Sequence, residues 1–472
     1  MAISLELVAM GLSKSIFYKK NTWECGLTIG IVFEIFLPVV NGVVTTTINL
    51  AENLAARGHR VLFIAPAWKD FQAAEVSGIE VHYVPSAATH VYPGIRLVSP
   101  WNRKVDRVLR QEGVELLHVT GPGLLSWSAM KAARRHGIPV LHTFHTLIYE
   151  DTYLYYALRS QHLLPLLRRA VWVYLKWFFD LSDAITAPSL HACRTLQEHF
   201  PQAQIEHIHN GIDFTDFPDF AETGSKTNTA SVGGADGVHG RGGFDALRRD
   251  YPGFNHKTFL FVGRLGEEKS VSVLLEAFRR AWALDPELRL FLVGDGPGRR
   301  VYEQITAEAG MEGAVTFVGR IDHGQLLASG LYQHARAMVT ASTTENQPIT
   351  VIEAMACGTP IIIPEVDGIM ELLQGNGRCF APGDARALAR QLLQMANDNL
   401  LYRTCVAAAK LRRENFEGGR VAEQFERVYR KLTGTGEDAW PEDGEPADSA
   451  AASNGPADVD KVPVMKQDIG IR

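Results

Sequence analysis

The stretch FLFVGRLGEEKSVSVLLEAF, residues 259–278, decides the fold. Its first half is a short apolar run of strand character that ends at Gly263. Its second half repeats apolar side chains at helical spacing, at Val273, Leu274, Ala277 and Phe278. Between the two halves Gly266 allows a turn, and Ser270 is placed to cap the helix. A strand that leads through a short loop into a helix is the repeating unit of a parallel α/β sheet.

The loop of this unit carries two cations, Arg264 and Lys269. The N-terminus of a helix exposes free N–H groups and the positive end of the helix dipole, and both attract anions. The combination predicts a binding site for a diphosphate. The alternative is that both cations are solvated and pair with Glu267 and Glu268 in the same loop.

A second unit of the same kind lies in TTENQPITVIEAMACGTPII, residues 343–362. We expect a helix here whose first amides, at Ile349 and Thr350, face the preceding loop. Glu353, in the first turn, would accept hydrogen bonds from the vicinal hydroxyls of a ribose. Glu345, held in the loop, would contact the ligand beyond the phosphates, so the two acids together predict a nucleotide sugar. The alternative is a plain helix with a favourable acid at its start and a surface glutamate before it.

Apolar runs of strand character alternate with amphipathic segments over most of the chain. The first series has predicted strands at 27–33, 60–65, 79–84, 115–119 and 138–143, and helices at 43–57 and 124–136. The second series has predicted strands at 258–263, 288–296, 314–319, 335–342 and 359–365. Each series is typical of a doubly wound parallel sheet, so the fold class is α/β with two such units in tandem.

The composition divides the chain into six segments. They are an extension at 1–26, a first domain at 27–215, a low-complexity linker at 216–255, a second domain at 256–415, a final helix at 416–433 and an acidic tail at 434–472. The final helix has an apolar face that needs a partner surface. The stretch 221–250 of the linker and the tail lack the apolar residues that hold a fold together, so we expect disorder in the first twenty-odd residues of this stretch and in the tail.

Composition and charge exclude several classes of protein. The 472 residues carry a net charge of −6, and the tail alone has nine acids against three bases, so no basic surplus points to a nucleic-acid partner. The five cysteines are scattered, which predicts neither a disulfide framework nor a zinc site and fits a reducing cytosol. The N-terminal apolar run has the wrong charge order for a secretory signal, and the longest apolar runs are too short to span a bilayer. The Asp-x-Asp string at Asp458 and Asp460 is interpreted as solvated acid.

Two positions in the first series could contact a ligand. Gly42 follows Asn41 in the turn between the first strand and its helix, and a glycine lets the backbone approach closely. His145 follows a buried strand at the edge where open α/β sheets bind ligands, and the acids Glu150 and Asp151 come shortly after it. The alternatives are an ordinary strand-to-helix turn and a structural histidine.

The segment between Asp151 and Asp180 contains no acid and mixes basic with aromatic residues. The residues that we assign to an acceptor or membrane surface, besides Glu150 and Asp151, are Arg168, Arg169, Trp172, Lys176 and Trp177. Cations of such a surface meet anionic head groups, and its aromatic rings lie at the bilayer boundary. The alternative is a buried helix whose arginines extend to solvent, with Pro165 dividing the segment in two.

Motifs along the chain resemble one enzyme family. They are PVVNGVVTTTINLAENLAARGHRV, TFHT, SDAITAPS, IHNGID, FVGRLGEEKSVSVLLEAF, LVGDGP, VTFVGR and TENQPITVIEAMACGTPII, and they span most of residues 27–432. In this order they resemble the retaining, nucleotide-sugar-dependent glycosyltransferases of family 4. The resemblance implies the GT-B fold, in which two Rossmann-like domains face each other across a cleft. The first domain would bind the acceptor, the second the donor, and the C-terminal helix would return to the first domain.

The resemblance also implies roles for single residues. It assigns catalysis to His145, Glu345, Arg264 and Lys269. It assigns donor binding to Gly42, Arg264, Lys269, Glu345, Ile349, Thr350 and Glu353. Glu345 would meet the donor sugar and Glu353 the ribose, while the two cations would hold the diphosphate. No metal and no cofactor are expected, because these cations and the helix dipoles can stabilise the leaving diphosphate.

Three positions depart from the family pattern. Asn41, Ser270 and Pro348 stand where glycine is common. Pro348 has no N–H group, so one contact to a phosphate is missing. We expect Ser270 to compensate as a helix cap.

Within the family, TFHTLIYEDTYLYY and the basic aromatic segment look most like glycosyltransferases that act on diacylglycerol. They are similar, more loosely, to phosphatidylinositol mannosyltransferases and sulfoquinovosyl lipid synthases. The expected reaction moves a hexose from UDP-glucose to a lipid such as diacylglycerol, by front-face attack, at the cytoplasmic face of the membrane. The alternatives are a soluble or polyprenyl-linked glycan as acceptor, and a catalytically silent nucleotide-sugar-binding protein.

Overall fold

The computed structural model describes residues 26–89, 96–145, 147–149, 164–214, 217 and 241–435. The expectations for the N-terminal extension before Gly26, for Glu150 and Asp151, for most of the linker and for the tail after Thr435 fall outside these ranges. No helix in the described ranges is both long enough and apolar enough to cross a membrane.

The first half of the described chain contains ten strands. They are β1 (Thr28–Val32), β2 (Arg60–Pro66), β3 (Glu75–Val76), β4 (Ile79–Val84), β5 (Ser86–Ala88), β6 (Arg96–Val98), β7 (Leu116–Val119), β8 (Val140–Thr143), β9 (Ala184–Ala187) and β10 (Ile205–His207). Eight of them form one sheet in the order β10-β9-β8-β7-β1-β2-β4-β3, while β5 and β6 form a separate antiparallel ribbon. Within the described residues, β3 is the antiparallel member of the large sheet.

The centre of this sheet is a topological switch point. Ile29 of β1 pairs in parallel with Val61 of β2 on one side and with Leu116 of β7 on the other. The chain therefore leaves β1 in one direction and later returns to build the opposite side of the sheet. Open α/β sheets bind ligands at the carboxyl ends of strands at such a point, which is where the loops after β1, β7 and β8 lie.

Helices cover both faces of the first sheet. They are α1 (Gly42–Ala56), α2 (Arg103–Gln111), α3 (Leu124–His136), α4 (Leu164–Phe179) and α5 (Leu190–His199). Ile29 and Ile31 pack in the core shared with α1, whereas Val32 packs in the core shared with α2 to α5. Successive side chains of a strand point to opposite faces, so one short apolar strand supplies both cores.

The second half repeats the design. Its strands are β11 (Thr258–Val262), β12 (Arg289–Val293), β13 (Val315–Gly319), β14 (Ala337–Val339), β15 (Ile361–Pro364) and β16 (Gly377–Phe380). They form a six-stranded parallel sheet in the order β13-β12-β11-β14-β15-β16. The predicted α/β class with two doubly wound parallel sheets is confirmed.

The helices of the second half connect and cover these strands. They are α6 (Arg241–Asp250), α7 (Val271–Trp282), α8 (Arg299–Glu308), α9 (His323–Ala328), α10 (Leu331–His334), α11 (Ile349–Ala356), α12 (Ala385–Asn397), α13 (Asn399–Arg412) and α14 (Gly418–Thr433). Three 3-10 turns lie at Glu267–Lys269, Ile369–Leu372 and Arg413–Phe416. All four residues of β15 are buried, as expected for a central parallel strand covered on both faces.

The last helix, α14, crosses back to the first sheet. Its apolar face, which includes Val421, Phe425 and Tyr429, is buried in the same core as α1. Glu426 pairs with Arg57 at the end of α1 at 2.7 Å. The expected return of the C-terminal helix to the N-terminal domain is therefore confirmed.

A line of buried hydrogen bonds ties α14 to the centre of the first sheet. The Tyr429 hydroxyl lies 2.8 Å from Nδ1 of His118 on β7, and Nε2 of His118 lies 2.6 Å from Oγ1 of Thr143 on β8. Thr143 in turn lies 2.7 Å from the hydroxyl of Thr186 on β9. Burial lowers the pKa of His118 to about 3, so the ring stays neutral at neutral pH and can donate through one nitrogen and accept through the other.

Replacing Tyr429 by phenylalanine tests this connection. The substitution keeps the ring but leaves Nδ1 of His118 without its partner in a buried site, which costs about 1–3 kcal/mol of unfolding free energy. We expect a lower midpoint of urea unfolding, followed by circular dichroism. Tyr251→Phe is the control, because the Tyr251 ring is partly buried and no hydrogen bond of its hydroxyl occurs among the described residues. Equal midpoints for the two variants would show that the buried line contributes nothing.

Candidate active site

The cationic loop between β11 and α7 has the predicted strand-loop-helix form. The helix buries Val271, Leu274, Leu275 and Phe278 and partly buries Val273, so its inward face is close to the predicted one. The chain between strand and helix passes through the 3-10 turn Glu267–Lys269. Arg264 and Lys269 therefore leave the backbone at the carboxyl edge of the second sheet.

Ser270 does not cap the helix as we expected. Its backbone has φ of 48°, in the left-handed region, and its side chain makes no capping hydrogen bond. Ser270 adopts this backbone because it is the single residue between the end of the 3-10 turn and the start of α7. Left-handed backbone costs an L-residue roughly 1–2 kcal/mol, which explains why glycine suits this position.

The two cations of the loop have different partners. Arg264 pairs with Glu268 at 3.5 Å and is partly exposed, as the alternative of paired loop charges requires. Lys269 instead forms an ion pair with Glu345, which comes from the loop after β14. Ser342 strengthens this junction by donating to the carbonyl of Glu268 at 3.1 Å. The structure thus brings Lys269, one of the two cations predicted to bind the diphosphate, into contact with the glutamate predicted to bind the sugar.

The helix that follows Glu345 begins at Ile349 and its cap residue is Pro348. The first backbone hydrogen bond of the helix is donated by the amide of Val351 to the carbonyl of Pro348 at 3.1 Å. The amides of Ile349 and Thr350 precede it and occupy the position from which a helix binds anions. The Ile349 side chain faces the first domain, because a Cβ on Gly42 would lie 3.2 Å from its Cγ1. Gly42 therefore lies directly across the cleft from α11.

The placement of Glu353 in the first turn was wrong. Glu353 is the fifth residue of α11 and is only 2% exposed. The helix starts after Pro348, whose missing N–H suits a helix start, so the glutamate falls in the second turn. Its carboxylate accepts from Tyr332 at 2.7 Å and lies 2.6 Å from Nε2 of His323.

His323 and Tyr332 are site residues that the sequence reasoning missed. Burial raises the pKa of Tyr332 well above its ordinary value, so this hydroxyl stays protonated and donates to Glu353. His323 is the first residue of α9, directly after Asp322, which caps that helix. The cap marks the start of the helix in the sequence, but nothing in the sequence shows that the histidine meets a glutamate 30 residues later.

His145 lies in the loop after β8 and faces the second domain. Its carbonyl accepts a hydrogen bond from Nδ2 of Asn346, the residue after Glu345, at 3.0 Å. Burial lowers the pKa of the His145 ring to about 4, and a hydrogen bond with Asn210 partly offsets this effect. The ring is therefore neutral at neutral pH and can donate to a hydroxyl without carrying charge.

Helix α4 presents part of the predicted interfacial segment to solvent. Leu166, Val173 and Trp177 are 69%, 51% and 62% exposed and lie at helical spacing on one side. Tyr174 donates to the carbonyl of Pro122 at 2.6 Å, which fixes the helix beside the loop after β7. The exposed apolar residues therefore form a stripe close to the ligand-binding edge of the first sheet.

The charged and aromatic neighbours of this stripe differ in their placement. Arg168 and Arg169 are exposed, and Lys176 pairs with Asp180 at 2.6 Å on the surface. Trp172 does not belong to the exposed surface, contrary to our assignment. Its ring is partly buried and stacks on His199 with 3.6 Å between centroids, because it faces α5 across the helix packing.

The family comparison agrees with this architecture. The model described as Glycosyltransferase Family 4 matches residues 40–216, and the model described as Glycosyl transferases group 1 matches residues 248–412. The chain belongs to glycosyltransferase family 4. Its two matched regions carry the two sheets except for β1, which precedes the first region, and its fold is GT-B. The chain is accordingly a glycosyltransferase that uses a nucleotide sugar.

The similar proteins include enzymes named for different sugars. A GDP-mannose-dependent alpha-mannosyltransferase of Mycobacterium tuberculosis is 28% identical over 74% of this chain and 82% of its own length. An alpha-monoglucosyldiacylglycerol synthase of Acholeplasma laidlawii is 28% identical over 75% of this chain and 83% of its own length. HepE of Anabaena in complex with UDP is similar in structure, with a TM-score of 0.65 and 19% identity over 86% of this chain and all of that chain.

Ser270→Gly should stabilise the glycosyltransferase. Glycine adopts the left-handed backbone without strain but has more freedom in the unfolded chain, so we expect a net gain of about 0.5–1 kcal/mol in unfolding free energy. Ser272→Gly is the matched control, since Ser272 is exposed within α7 and glycine there loses about 0.5 kcal/mol. Thermal unfolding of both variants measures the difference. A loss of stability in Ser270→Gly would mean that the strain at this residue is not relieved.

Proposed function

We propose that the glycosyltransferase moves a hexose from UDP-glucose to a lipid acceptor such as diacylglycerol, with retention of the anomeric configuration and without a metal ion. The observation that carries the lipid acceptor is the exposed apolar stripe of α4 with its flanking cations beside the first sheet's ligand-binding edge. The likeness to an enzyme named for monoglucosyldiacylglycerol supports the same acceptor class.

The donor site supports departure of a diphosphate. Lys269 and Arg264 supply positive charge, and the amides of Ile349 and Thr350 add the positive end of α11. Preorganised charges of this kind stabilise the negative charge that develops on the leaving group. Glu345, already paired with Lys269, would then face the sugar. Glu353, held by Tyr332 and His323, would accept from the ribose hydroxyls.

The reaction is written as front-face transfer. The bond between C1 of the hexose and the phosphate oxygen breaks, and the acceptor oxygen bonds to C1 on the same face. The proton of the acceptor hydroxyl passes to the departing phosphate oxygen. His145, neutral and placed across the cleft from the donor loop, would hold a hydroxyl of the sugar or acceptor.

GDP-mannose is the second candidate donor. The observation that favours it is the similarity to a GDP-mannose-dependent mannosyltransferase at the same identity and nearly the same coverage as the diacylglycerol enzyme. Mannose transfer would use the same diphosphate contacts and would leave the proposed roles of Lys269 and Glu345 unchanged.

Radiolabelled donors test the reaction. UDP-glucose and GDP-mannose are each incubated with vesicles that contain diacylglycerol and, separately, with soluble sugars, and the products are separated by thin-layer chromatography. We expect a labelled lipid from UDP-glucose, undiminished by EDTA. Glu345→Gln and Lys269→Met should each lower the rate about 100-fold or more, because each removes a preorganised charge. Label found only in soluble products would contradict the lipid acceptor, and no product at all would contradict enzymatic activity.

Binding to vesicles tests the surface of α4. Burying a tryptophan side chain is worth about 1.5–3 kcal/mol, so Trp177→Ser should weaken binding to anionic vesicles roughly tenfold or more in a flotation assay. Replacing Arg168 and Arg169 by glutamine should weaken it further and reduce its salt dependence. Leu411→Ser is the control, because Leu411 is 83% exposed on α13, outside the proposed surface. If Trp177→Ser and Leu411→Ser bind equally well, α4 is not the membrane contact.

A further inference from the structure

Two amide side chains that follow Glu345, Asn346 and Gln347, are buried between the two sheets. They are 8% and 6% exposed, although asparagine and glutamine usually lie at the surface. Both belong to the loop that carries the donor-site glutamate, and among the described residues their side-chain hydrogen-bond partners lie in the first half of the chain. We refer to Asn346 and Gln347 as the bridging pair.

Asn346 joins the loops after β8 and β9. Its Oδ1 accepts from the Ser189 hydroxyl at 2.5 Å, and its Nδ2 donates to the carbonyl of His145 at 3.0 Å. Glu345 and His145 come from different domains. Asn346 is the residue next to Glu345, and its side chain forms a hydrogen bond with the backbone of His145. The relative position of Glu345 and His145 therefore depends directly on the Asn346 amide.

Gln347 joins the segment after β10. Its Oε1 accepts from the backbone amide of Asn210 at 2.6 Å, and its backbone carbonyl accepts from Nδ2 of Asn210 at 3.2 Å. Its Nε2 donates to Nδ1 of His209 at 2.6 Å. Burial lowers the pKa of His209 to about 3, so the ring is neutral at neutral pH, and its Nε2-protonated tautomer accepts at Nδ1.

Asn210 connects this contact to His145. The Asn210 side chain forms a hydrogen bond with the His145 ring. The same side chain donates to the backbone of Gln347, so its orientation depends on the second domain. The ring of His145 is thereby linked to Gln347, while its carbonyl is linked to Asn346.

Burial of both amides makes closure of the cleft selective for one arrangement. A buried amide without its partner costs about 1–3 kcal/mol, whereas an amide exposed in an open cleft bonds to water. The bridging pair is therefore satisfied when the domains are apart or when they meet in this register. Any other closed arrangement leaves amide groups unpaired.

We propose that Asn346 and Gln347 are positioning residues, which set the carbonyl and the ring of His145 against Glu345 when the two domains close. Asn210 belongs to the motif IHNGID. In this proposal the motif links the loop of Glu345 to His145. The proposal rests on the proposed function, because the consequence of the positioning is sugar transfer.

The experiment compares Asn346→Ala, Gln347→Ala and Asn210→Ala with the wild-type chain. Turnover of the donor that the wild type uses gives kcat and KM, and calorimetry gives the affinity for UDP. The diphosphate contacts remain, so UDP affinity should change less than about twofold. The misplaced histidine should lower kcat roughly 10- to 100-fold, the size of effect that a displacement of about 1 Å produces.

Coupling between variants separates positioning from general destabilisation. Asn210→Ala combined with Gln347→Ala should cost no more than the larger single loss, because both break the same link. In a His145→Ala background the Gln347→Ala substitution should change the rate less than about twofold. Arg57→Met is the control, since it breaks the 2.7 Å ion pair between α1 and α14 without touching the donor loop, and it should keep wild-type kcat.

The outcomes distinguish this inference from the proposed function. A wild-type protein that turns over no donor contradicts the proposed function itself. An active wild type whose Asn346→Ala and Gln347→Ala variants keep kcat, or lose UDP affinity in proportion to rate, contradicts the positioning role. If the losses of kcat in Asn210→Ala and Gln347→Ala multiply in the double variant, the link through Asn210 is contradicted. This double variant also serves as the test of the link if His145→Ala is too slow to measure.

Discussion

The ion pair between Lys269 and Glu345 joins the two loops on which the donor site depends. Each loop follows a central strand of the second sheet and precedes a helix, so the sheet itself brings the two side chains together. In the proposed function, a nucleotide sugar presents its diphosphate to the loop of Lys269 and its sugar to the loop of Glu345. Parallel strands place the loops at their carboxyl ends along a common edge of the sheet. The order of the strands therefore determines which side chains meet in the donor site.

Closure adds the second constraint. The first domain contributes Gly42 and His145, and in the proposed function each reaches the donor only when the two domains meet in one register. The bridging pair holds that register, and so does the Glu371 carboxylate, which accepts from the amides of Leu190 and His191 at the start of α5. Excluding water from the closed cleft protects the donor from hydrolysis and strengthens every charge contact inside.

The sequence was most informative where a single local pattern decides the structure. Helix α3 at 124–136 and the strands around Ile361 and Phe259 follow from apolar spacing alone, because buried parallel strands are nearly continuous apolar runs. The short strands β9, β10 and β16 were not predicted. Each has only three or four residues, so its pairing with a neighbour, and not its own pattern, makes it a strand.

In the candidate site, too, the sequence predicted local features but not contacts between distant elements. The residue types and loops of Lys269, Glu345 and His145 could be assigned from motifs, but their partners could not. The left-handed backbone of Ser270 arises at the junction of the 3-10 turn and α7. The inward stacking of Trp172 and the contact of Glu353 with Tyr332 depend on packing between elements distant in sequence. In the sequence, Asn346 and Gln347 resemble ordinary polar loop residues. Only the structure shows that they are buried against the first domain.

A crystal structure of the chain with UDP tests the central claim most directly. The account predicts the diphosphate within about 3 Å of Nζ of Lys269 and of the first amides of α11, with the ribose hydroxyls at the carboxylate of Glu353. UDP bound with its diphosphate away from Lys269 and α11, or outside the cleft between the two sheets, would contradict it.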